Sequence, residues 1–214
     1  MKVMRFPLGA LFANGYLVYD EDGNAFFVDP GGDPDDVIAV IEGNSLELKI
    51  ILLTHGHVDH IAGVKALQDR YDCPVAVHED DFGMLANPMK NLSQFAGESV
   101  KVDGRVKPLS DGESIKIGSI LIRVIHTPGH TPGSVCYLAS HEGEELLFSG
   151  DTIFALSVGR TDLPGGDFAA LESSLRKLDY LPDDLKVLPG HGPETTLGRE
   201  RRENPFWPGK RDVR

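Results

Sequence analysis

The chain of 214 residues has few cysteines, a deficit of basic residues and no long apolar segment. Its two cysteines, Cys73 and Cys136, match no local pair spacing. This excludes a disulfide framework, indicates a reducing compartment and predicts two buried structural thiols. No apolar run reaches transmembrane length, and Pro7 and Gly9 interrupt the short apolar stretch near the start. We therefore expect a cytoplasmic protein with no signal peptide and no membrane contact.

The small number of basic residues also limits the kinds of partner that the protein can bind. Lys and Arg total 21 against 33 Asp and Glu, which gives a net charge of -12. Because phosphate binding needs a basic surface, nucleic acid is excluded as the main partner, and a small molecule is expected instead. The length suffices for one domain with a substantial core, and the chain has no internal repeat or linker-like segment. We predict a single domain over residues 1–214; the sequence indicates no oligomeric state.

What the chain does have is a dense cluster of metal-capable side chains. The segment Thr54-His55-Gly56-His57-Val58-Asp59-His60 follows an apolar run at residues 49–53, which predicts a buried strand. A helical period of apolar residues follows over residues 61–71. The cluster therefore belongs to a loop between a strand and a helix, where α/β folds commonly carry their chemistry.

The spacing within this cluster suggests two metal ions. In an extended segment, residues two apart point the same way, so His55 and His57 can bind one ion together. Asp59 and His60 lie where the chain turns into the helix and can face a second ion. The alternative is a polar loop with surface histidines, but scattered histidines rarely show this spacing behind a buried strand.

The remaining pattern predicts strands first, then strands alternating with helices, then strands again. This mixture is typical of two packed sheets with helices outside. We predict strands at 3–8, 16–19, 25–28, 49–53, 74–78, 113–117, 119–125, 134–138, 145–148 and 186–188, and helices at 35–42, 61–71, 80–86, from Asp167 onward, and at 195–203. Residues 87–112 are predicted as a long loop with short elements that borders the site.

Three further loops repeat the arrangement of a strand followed by a metal-capable residue near glycine. They contain His130 in His126-Thr127-Pro128-Gly129-His130, Asp151 in Ser149-Gly150-Asp151, and His191 in Pro189-Gly190-His191-Gly192. Asp29 also ends a strand before a glycine-rich loop. Its side chain either reaches the central site or only stabilises a turn.

The order H-x-H-x-D-H, then His130, Asp151 and His191, resembles the metallo-β-lactamase-fold hydrolase superfamily. The resemblance implies an α/β (α+β) αββα sandwich, with two mixed β-sheets packed face to face and helices outside. It implies one ion held by His55, His57, His130 and Asp151, and another by Asp59, His60, His191 and Asp151. Asp59 would also receive a proton as the catalytic residue, and Asp29 and Thr54 would support the ligands from behind.

Three further segments narrow the resemblance to short bacterial glyoxalase II-like proteins, that is, hydroxyacylglutathione hydrolase-like enzymes. They are Gly159-Arg160-Thr161-Asp162, Gly165-Gly166-Asp167 and the stretch at residues 189–196. The resemblance implies a thioesterase acting on S-(2-hydroxyacyl)glutathione such as S-lactoylglutathione, without a separate C-terminal substrate-binding domain. A metal-bridging hydroxide would be the nucleophile. The alternatives are a mononuclear iron persulfide dioxygenase acting on glutathione persulfide, another ester or lactone hydrolase, and a protein that only binds metal or a partner.

Nitrogen and oxygen donors make Zn²⁺ the expected ion at both positions, and Fe or Mn would fit the same donors. The substrate contacts are less defined. Candidates are Arg160 and three basic residues near the end of the chain, Arg199, Arg201 and Arg202. The alternative for the last three is a solvated helix face paired with Glu200 and Glu203.

Overall fold

The protein is described by a computed structural model that covers residues 1–209. The strands in this part of the chain are β1 (Lys2–Leu8), β2 (Ala13–Tyr19), β3 (Asn24–Val28), β4 (Glu47–Leu52), β5 (Val75–His78), β6 (Val106–Leu109), β7 (Ser114–Ile117), β8 (Ile120–His126), β9 (Val135–His141), β10 (Glu144–Gly150), β11 (Lys186–Pro189) and β12 (Thr195–Thr196). The helices are α1 (Asp35–Gly43), α2 (Val58–Ile61), α3 (Val64–Tyr71), α4 (Glu79–Leu85), α5 (Phe168–Lys177) and α6 (Leu197–Glu203), with a 3-10 turn at Leu178–Tyr180.

The strands form two six-stranded mixed sheets. The first has the order β1-β2-β3-β4-β5-β6, antiparallel from β1 to β3 and parallel from β3 to β6. The second has the order β12-β11-β10-β9-β8-β7, and only β10 and β11 run parallel. Parallel neighbours place their carboxyl ends at one edge of a sheet, so loops that follow different strands come together there.

Three apolar clusters define four layers. The central cluster joins inward-facing residues of both sheets, such as Phe26 and Phe148. A second packs the outer face of the first sheet against α1 and α3, with Phe27 and Ile41 as members. A third packs the outer face of the second sheet against α5. Since β3 is buried on both faces, its sequence is apolar without alternation. The predicted αββα sandwich of two mixed sheets is confirmed.

Two predicted helices were wrong in extent, and the predicted long loop contains one short strand. The predicted helix at 61–71 is two helices, because Gly63 packs so closely on the 30–32 loop that a side chain would collide with Gly32. The loop at 87–112 contains strand β6, which pairs with β5 in parallel. Its Val-Lys-Pro-Leu sequence lacks the apolar run that signals a strand. The predicted helix at 195–203 begins at Leu197, after the short strand β12.

Several local predictions are confirmed. Both cysteines are buried, at 3% and 0% exposure. Asp167 caps α5 by accepting a hydrogen bond from the Ala170 amide at 3.0 Å. None of the helices over residues 1–209 combines the length and hydrophobicity needed to cross a bilayer.

Candidate metal centre

The predicted ligands all lie shortly after strand ends, in loops or, for Asp59 and His60, in the short helix α2. His55 to His60 follow β4, His130 follows β8, Asp151 follows β10 and His191 follows β11. The first of these strands belongs to one sheet and the other three to the second sheet. The structure therefore brings all of the predicted ligands together at one edge of the sandwich, between the two sheets.

The first set, which we call the three-histidine group, consists of His55, His57 and His130. Each offers a ring nitrogen, and these atoms lie within 4.8 Å of one another. All three residues are buried. The Nδ1 atom of His130 donates to the Arg160 carbonyl oxygen at 2.7 Å, which leaves Nε2 directed at the group. The loop after β4 and the loop after β8 thus contribute donors to a single point.

The second set, which we call the Asp59 group, consists of Asp59, His60 and His191, whose donor atoms also lie within 4.8 Å of one another. The Nε2 atom of His191 lies 3.2 Å from Asp59 Oδ2. Asp59 and His191 are the more open members, with side chains 20% and 27% exposed. The site is therefore open to solvent on this side.

Asp151 lies between the two groups. Its Oδ1 atom is 3.4 Å from His60 Nε2, and its Oδ2 atom is 3.5 Å from His130 Nε2 and 3.8 Å from His191 Nε2. A carboxylate has two oxygens and can face two ions at once. The loop that carries His191 has no room for a side chain at Gly190, where a Cβ would collide with Asp151 Oδ1 and lie 2.8 Å from the His60 ring. Glycine is required there for the loops to approach.

The donor atoms fit divalent metal ions. The Nε2 atoms of His55, His57 and His60, together with Asp151 Oδ1, are buried without a hydrogen-bond partner in the described structure. Each buried polar atom left without a partner destabilises the fold by about 1–3 kcal/mol, so four of them at one point indicate that a ligand binds there. A cation that accepts their lone pairs would remove this cost.

The charges of the groups support the same conclusion. Burial, followed by the neighbouring histidines, holds the pKa of His55 well below its usual range and lowers the pKa of His57 to about 3. Both imidazoles are therefore neutral, as metal ligands must be. Burial opposes protonation of His60 as well, but Asp151, Asp59 and Asp29 outweigh it and raise the pKa well above the usual value. The three surrounding carboxylates thus favour a positive charge at His60.

Asp29 and Thr54 lie behind the ligands. Asp29 accepts hydrogen bonds from the Thr54 amide at 2.7 Å, the Thr54 hydroxyl at 2.6 Å and the His60 Nδ1 at 2.9 Å. This fixes the His60 ring with Nε2 toward Asp151. The sequence left two roles open for Asp29. The structure shows that its side chain reaches the central site and does not only stabilise a turn.

The loop that carries His191 is held by residues the sequence did not reveal. The Asn14 side-chain amide donates to the carbonyls of Pro189 and Gly192, both at 2.9 Å, and the Tyr16 hydroxyl donates to Pro189 at 2.7 Å. Both residues lie on β2, in the opposite sheet. In the sequence they are ordinary strand positions, and only the packing of the two sheets gives them this role.

The candidate substrate arginines are engaged elsewhere. Arg160 makes two hydrogen bonds to Asp162, at 2.7 and 2.8 Å. Arg199 pairs with Glu203 at 3.1 Å, as expected for a solvated helix face. Arg201 contacts Asp183 and donates to the carbonyls of Leu178 and Leu181, and Arg202 lies 3.9 Å from Asp183. Glu200 does not pair with these arginines but is buried and accepts from Thr195, Leu156 and Asn204.

A cavity of about 480 Å³ opens beside Asp59, which is within the usual size of a small-molecule site. Its walls come from residues 9–11, 31–34, 58–59, 62–63 and 66, with Ala96 and Glu98 from the long loop after α4. The prediction that this loop borders the site is therefore confirmed. The ionisable lining residues are Asp33, Asp59 and Glu98, and no Lys or Arg of residues 1–209 is among the lining. This cavity thus favours apolar or uncharged groups over anionic ones.

One buried acid near the ligands was also missed by the sequence reasoning. Asp81 on α4 is fully buried, and its carboxylate contacts both the loop after β4 and the loop after β8. A signal was present: Asp81, Met84 and Leu85 have the spacing of one helix face, and the last two are apolar. An acid on an apolar face needs specific partners.

Known proteins resemble this chain in sequence and in fold. The family model described as the metallo-beta-lactamase superfamily matches residues 8–191. The hydroxyacylglutathione hydrolase GloC of Haemophilus influenzae is 35% identical over 210 residues, covering 96% of this chain and 98% of that protein. The solved structure of BLEG-1, a B3 metallo-beta-lactamase, superposes with a TM-score of 0.90 at 40% identity, covering 97% and 100% of the two chains. TTHA1623, solved in a di-iron-bound form, gives 0.82 at 38% identity, covering 95% and 99%.

These matches extend over almost the whole chain, and the solved structures share its fold. The prediction of an enzyme of the hydrolase class is confirmed at this level. The chain belongs to the metallo-beta-lactamase superfamily.

Proposed function

We propose that the protein is a dinuclear metal-dependent thioesterase of the glyoxalase II type, acting on S-(2-hydroxyacyl)glutathione such as S-lactoylglutathione. The observation that carries the proposal is the pair of complete donor groups joined by Asp151. The similarity to GloC over nearly the full length supports the choice of substrate class. We expect Zn²⁺ in both positions, and the di-iron form of TTHA1623 supports iron as the other candidate.

The three-histidine group would hold one ion and the Asp59 group the other, with Asp151 shared. When bound, such ions lower the pKa of water and polarise a carbonyl. The reaction adds water across the thioester: a carbon–oxygen bond forms, the carbon–sulfur bond breaks, and a carboxylic acid and a thiol are released. In the proposal, Asp59 receives the proton of the attacking water. Its contacts with His60 and His191 hold its pKa below the usual range in spite of burial, so it is ionised and able to accept.

The cysteines do not supply a competing nucleophile. Burial raises the pKa of Cys73 and Cys136 to about 11, so both remain thiols at neutral pH. The Ser149 hydroxyl donates to the Ile153 carbonyl at 2.8 Å, and the Thr54 hydroxyl to Asp29. The Thr54 hydroxyl also lies 3.2 Å from His55 Nδ1, but its hydrogen is donated to Asp29, and no histidine is among the described contacts of Ser149. Water is therefore the proposed nucleophile.

The leaving group separates a thioesterase from an amidase. A thiol has a pKa near 8.5, so a thiolate departs without protonation, whereas an amine needs a general acid. The ionisable residues around the cavity are carboxylates, and the one nearest the ligands, Asp59, has its pKa held below the usual range, so it is not a proton donor. We therefore expect thioesters to be cleaved much faster than the matched amides.

The test compares kcat/KM for an acyl thioester and the amide of the same acyl group, with zinc, iron or manganese bound. S-Lactoylglutathione and uncharged thioesters, esters and lactones complete the substrate set. Asp59→Asn should lower kcat by on the order of 100-fold or more, and Glu79→Gln, an exposed position outside the site, serves as the matched control. Equal or faster amide cleavage would refute the thioesterase assignment.

The dioxygenase alternative is tested with the same preparations. The iron-loaded protein is supplied with glutathione persulfide while oxygen consumption is recorded. Oxygen uptake at a rate above that of thioester hydrolysis would replace the proposed function with the oxygenase. We expect no uptake, because the Asp59 group supplies a full second set of donors, which a single iron does not need.

A further inference from the structure

Asp81 lies between the two loops that carry the three-histidine group. Its Oδ2 atom accepts from the Gly56 amide at 3.0 Å and from the Thr131 hydroxyl at 2.7 Å, and its Oδ1 atom accepts from the Gly133 amide at 2.7 Å. Gly56 separates His55 from His57, and Thr131 directly follows His130. One buried carboxylate therefore contacts a residue adjacent to each histidine of the group, through the Gly56 amide and the Thr131 hydroxyl.

The fit around this carboxylate is close on both sides. A Cβ atom at Gly133 would lie 2.7 Å from the Cβ and Cγ of Asp81, and a Cβ at Gly56 would lie 2.8 Å from the Cβ of Met84 on the same helix. The first residue before α4, His78, stacks on His126 of β8 with ring centroids 3.8 Å apart. Helix α4 is thus fixed against a loop of each sheet, and neither loop can shift without losing contacts.

We propose that Asp81 is a positioning residue that fixes the two ligand loops relative to each other and so sets the affinity of the three-histidine group for its ion. A carboxylate is needed because all of its bonding partners are donors. An asparagine of the same shape presents an NH₂ group to at least one N–H or O–H donor. The Thr131 hydroxyl can turn to Ser134 Oγ, 2.7 Å away, but the two backbone amides have no such substitute among their described contacts.

Replacing Asp81 should weaken metal binding at the three-histidine group and leave the Asp59 group unaffected. Asp81 makes no hydrogen bond to the Asp59 group, where Asp29 orients His60 instead. The fold itself keeps another link between the same loops, because the Val135 amide donates to the Thr54 carbonyl at 2.8 Å. The inference rests on the proposed metal centre, and its test separates the two ideas.

The experiment measures zinc affinity by competition with a chromophoric chelator, using the full-length metal-free protein. In a His191→Ala background the remaining high-affinity zinc reports the three-histidine group, and in a His130→Ala background it reports the other group. Asp81→Asn should lower zinc affinity by about 10–100-fold in the first background and by less than about threefold in the second. Glu79→Gln, on the same turn of α4 and exposed, should change neither value.

Circular dichroism and thermal unfolding of the metal-free variants establish that each is folded, and Asp81→Ala provides a second variant with the carboxylate removed altogether. An unchanged affinity in the His191→Ala background, or an equal loss in both backgrounds, would overturn the positioning role. If the unsubstituted protein bound no zinc, iron or manganese, the proposed function would fail, and this inference with it.

Discussion

The Nδ1 atom of His57 lies 2.9 Å from the Nε2 atom of His130, although 73 residues separate them in the chain. The two rings meet nearly edge to face, with centroids 4.7 Å apart. The two rings belong to loops of different sheets, so their short separation depends on how the two sheets pack against each other. This close approach brings a ring nitrogen from each loop to one point, as a shared cation requires.

The first prediction concerns the shared ligand. Asp151→Ala should weaken binding of both ions, by about 100-fold or more, because its oxygens face His60 on one side and His130 on the other. His191→Ala should weaken only the ion of the Asp59 group. Metal analysis of the purified variants, supported by chelator titration, measures this. Equal loss of both ions in both variants would contradict the assignment.

The sequence predicted this site well because each ligand directly follows an apolar strand. The apolar run before His55 and the short runs before Asp151 and His191 identify strand ends, and strand ends meet at one edge of the sandwich. The ligand spacing then completed the family resemblance. No comparable signal marked Asn14 and Tyr16, which act only after the second sheet has packed against β2.

The missed features depend on contacts between distant segments. Gly63 looks tolerable in a helical period, but its amide donates to Pro30 and its Cα faces Gly32, so the helix is interrupted there. Strand β6 is short and partly exposed, and it forms because β5 offers it an open edge. Asp81 is the last of three consecutive acids, and only its neighbours on the helix face distinguish it from Asp80.

The second prediction concerns the end of the chain. Glu200 on α6 is buried and accepts from the Thr195 hydroxyl at 2.6 Å, the Leu156 amide at 2.8 Å and the Asn204 side-chain amide at 2.8 Å. Glu200→Ala leaves these donors unpaired and should lower the free energy of unfolding by about 3 kcal/mol. Chemical denaturation measures this. Glu203→Ala removes only an exposed pair with Arg199 and should cost about 0.5 kcal/mol; similar costs for the two variants would contradict the prediction.

The third prediction is a pH dependence at the end of the sandwich away from the ligand loops. Asp20, which follows β2, accepts from the Ser119 amide at 3.0 Å and the Asn24 amide at 2.9 Å, and thereby joins hairpins of the two sheets. Burial opposes ionisation, but these bonds lower the pKa of Asp20 to about 2. A lowered pKa in the folded state means that the carboxylate stabilises the fold above the ordinary value near 3.8.

That stabilisation should disappear as the pH falls from 3.8 to about 2, because both states are then protonated. The difference in unfolding free energy between the metal-free protein and its Asp20→Asn variant should therefore be constant near neutral pH and shrink across this interval. Urea denaturation at a series of pH values measures it. A difference that stays constant down to pH 2 would show that Asp20 contributes by shape alone.

The last prediction uses the charge of the cavity beside Asp59. Asp33 and Glu98 line it and no basic residue of the described chain does, so a carboxylate on the substrate meets like charges there. Asp33 is exposed, which keeps its effect on such a substrate modest. Asp33→Asn should raise kcat/KM for a thioester with an anionic acyl group by about two- to fivefold, corresponding to less than 1 kcal/mol. The matched thioester with a neutral acyl group should change little.

Asp35→Asn is the control, because Asp35 is also exposed and acidic but lies in the first turn of α1, outside the cavity lining. Raising the ionic strength should reduce the difference between anionic and neutral substrates, because exposed charges are screened within about 10 Å at 0.1 M salt. If Asp33→Asn and Asp35→Asn altered the anionic substrate equally, general surface charge would explain the effect. If neither altered it, the acyl group would bind outside this cavity, on the side of His191 and Phe154, whose rings lie 5.9 Å apart.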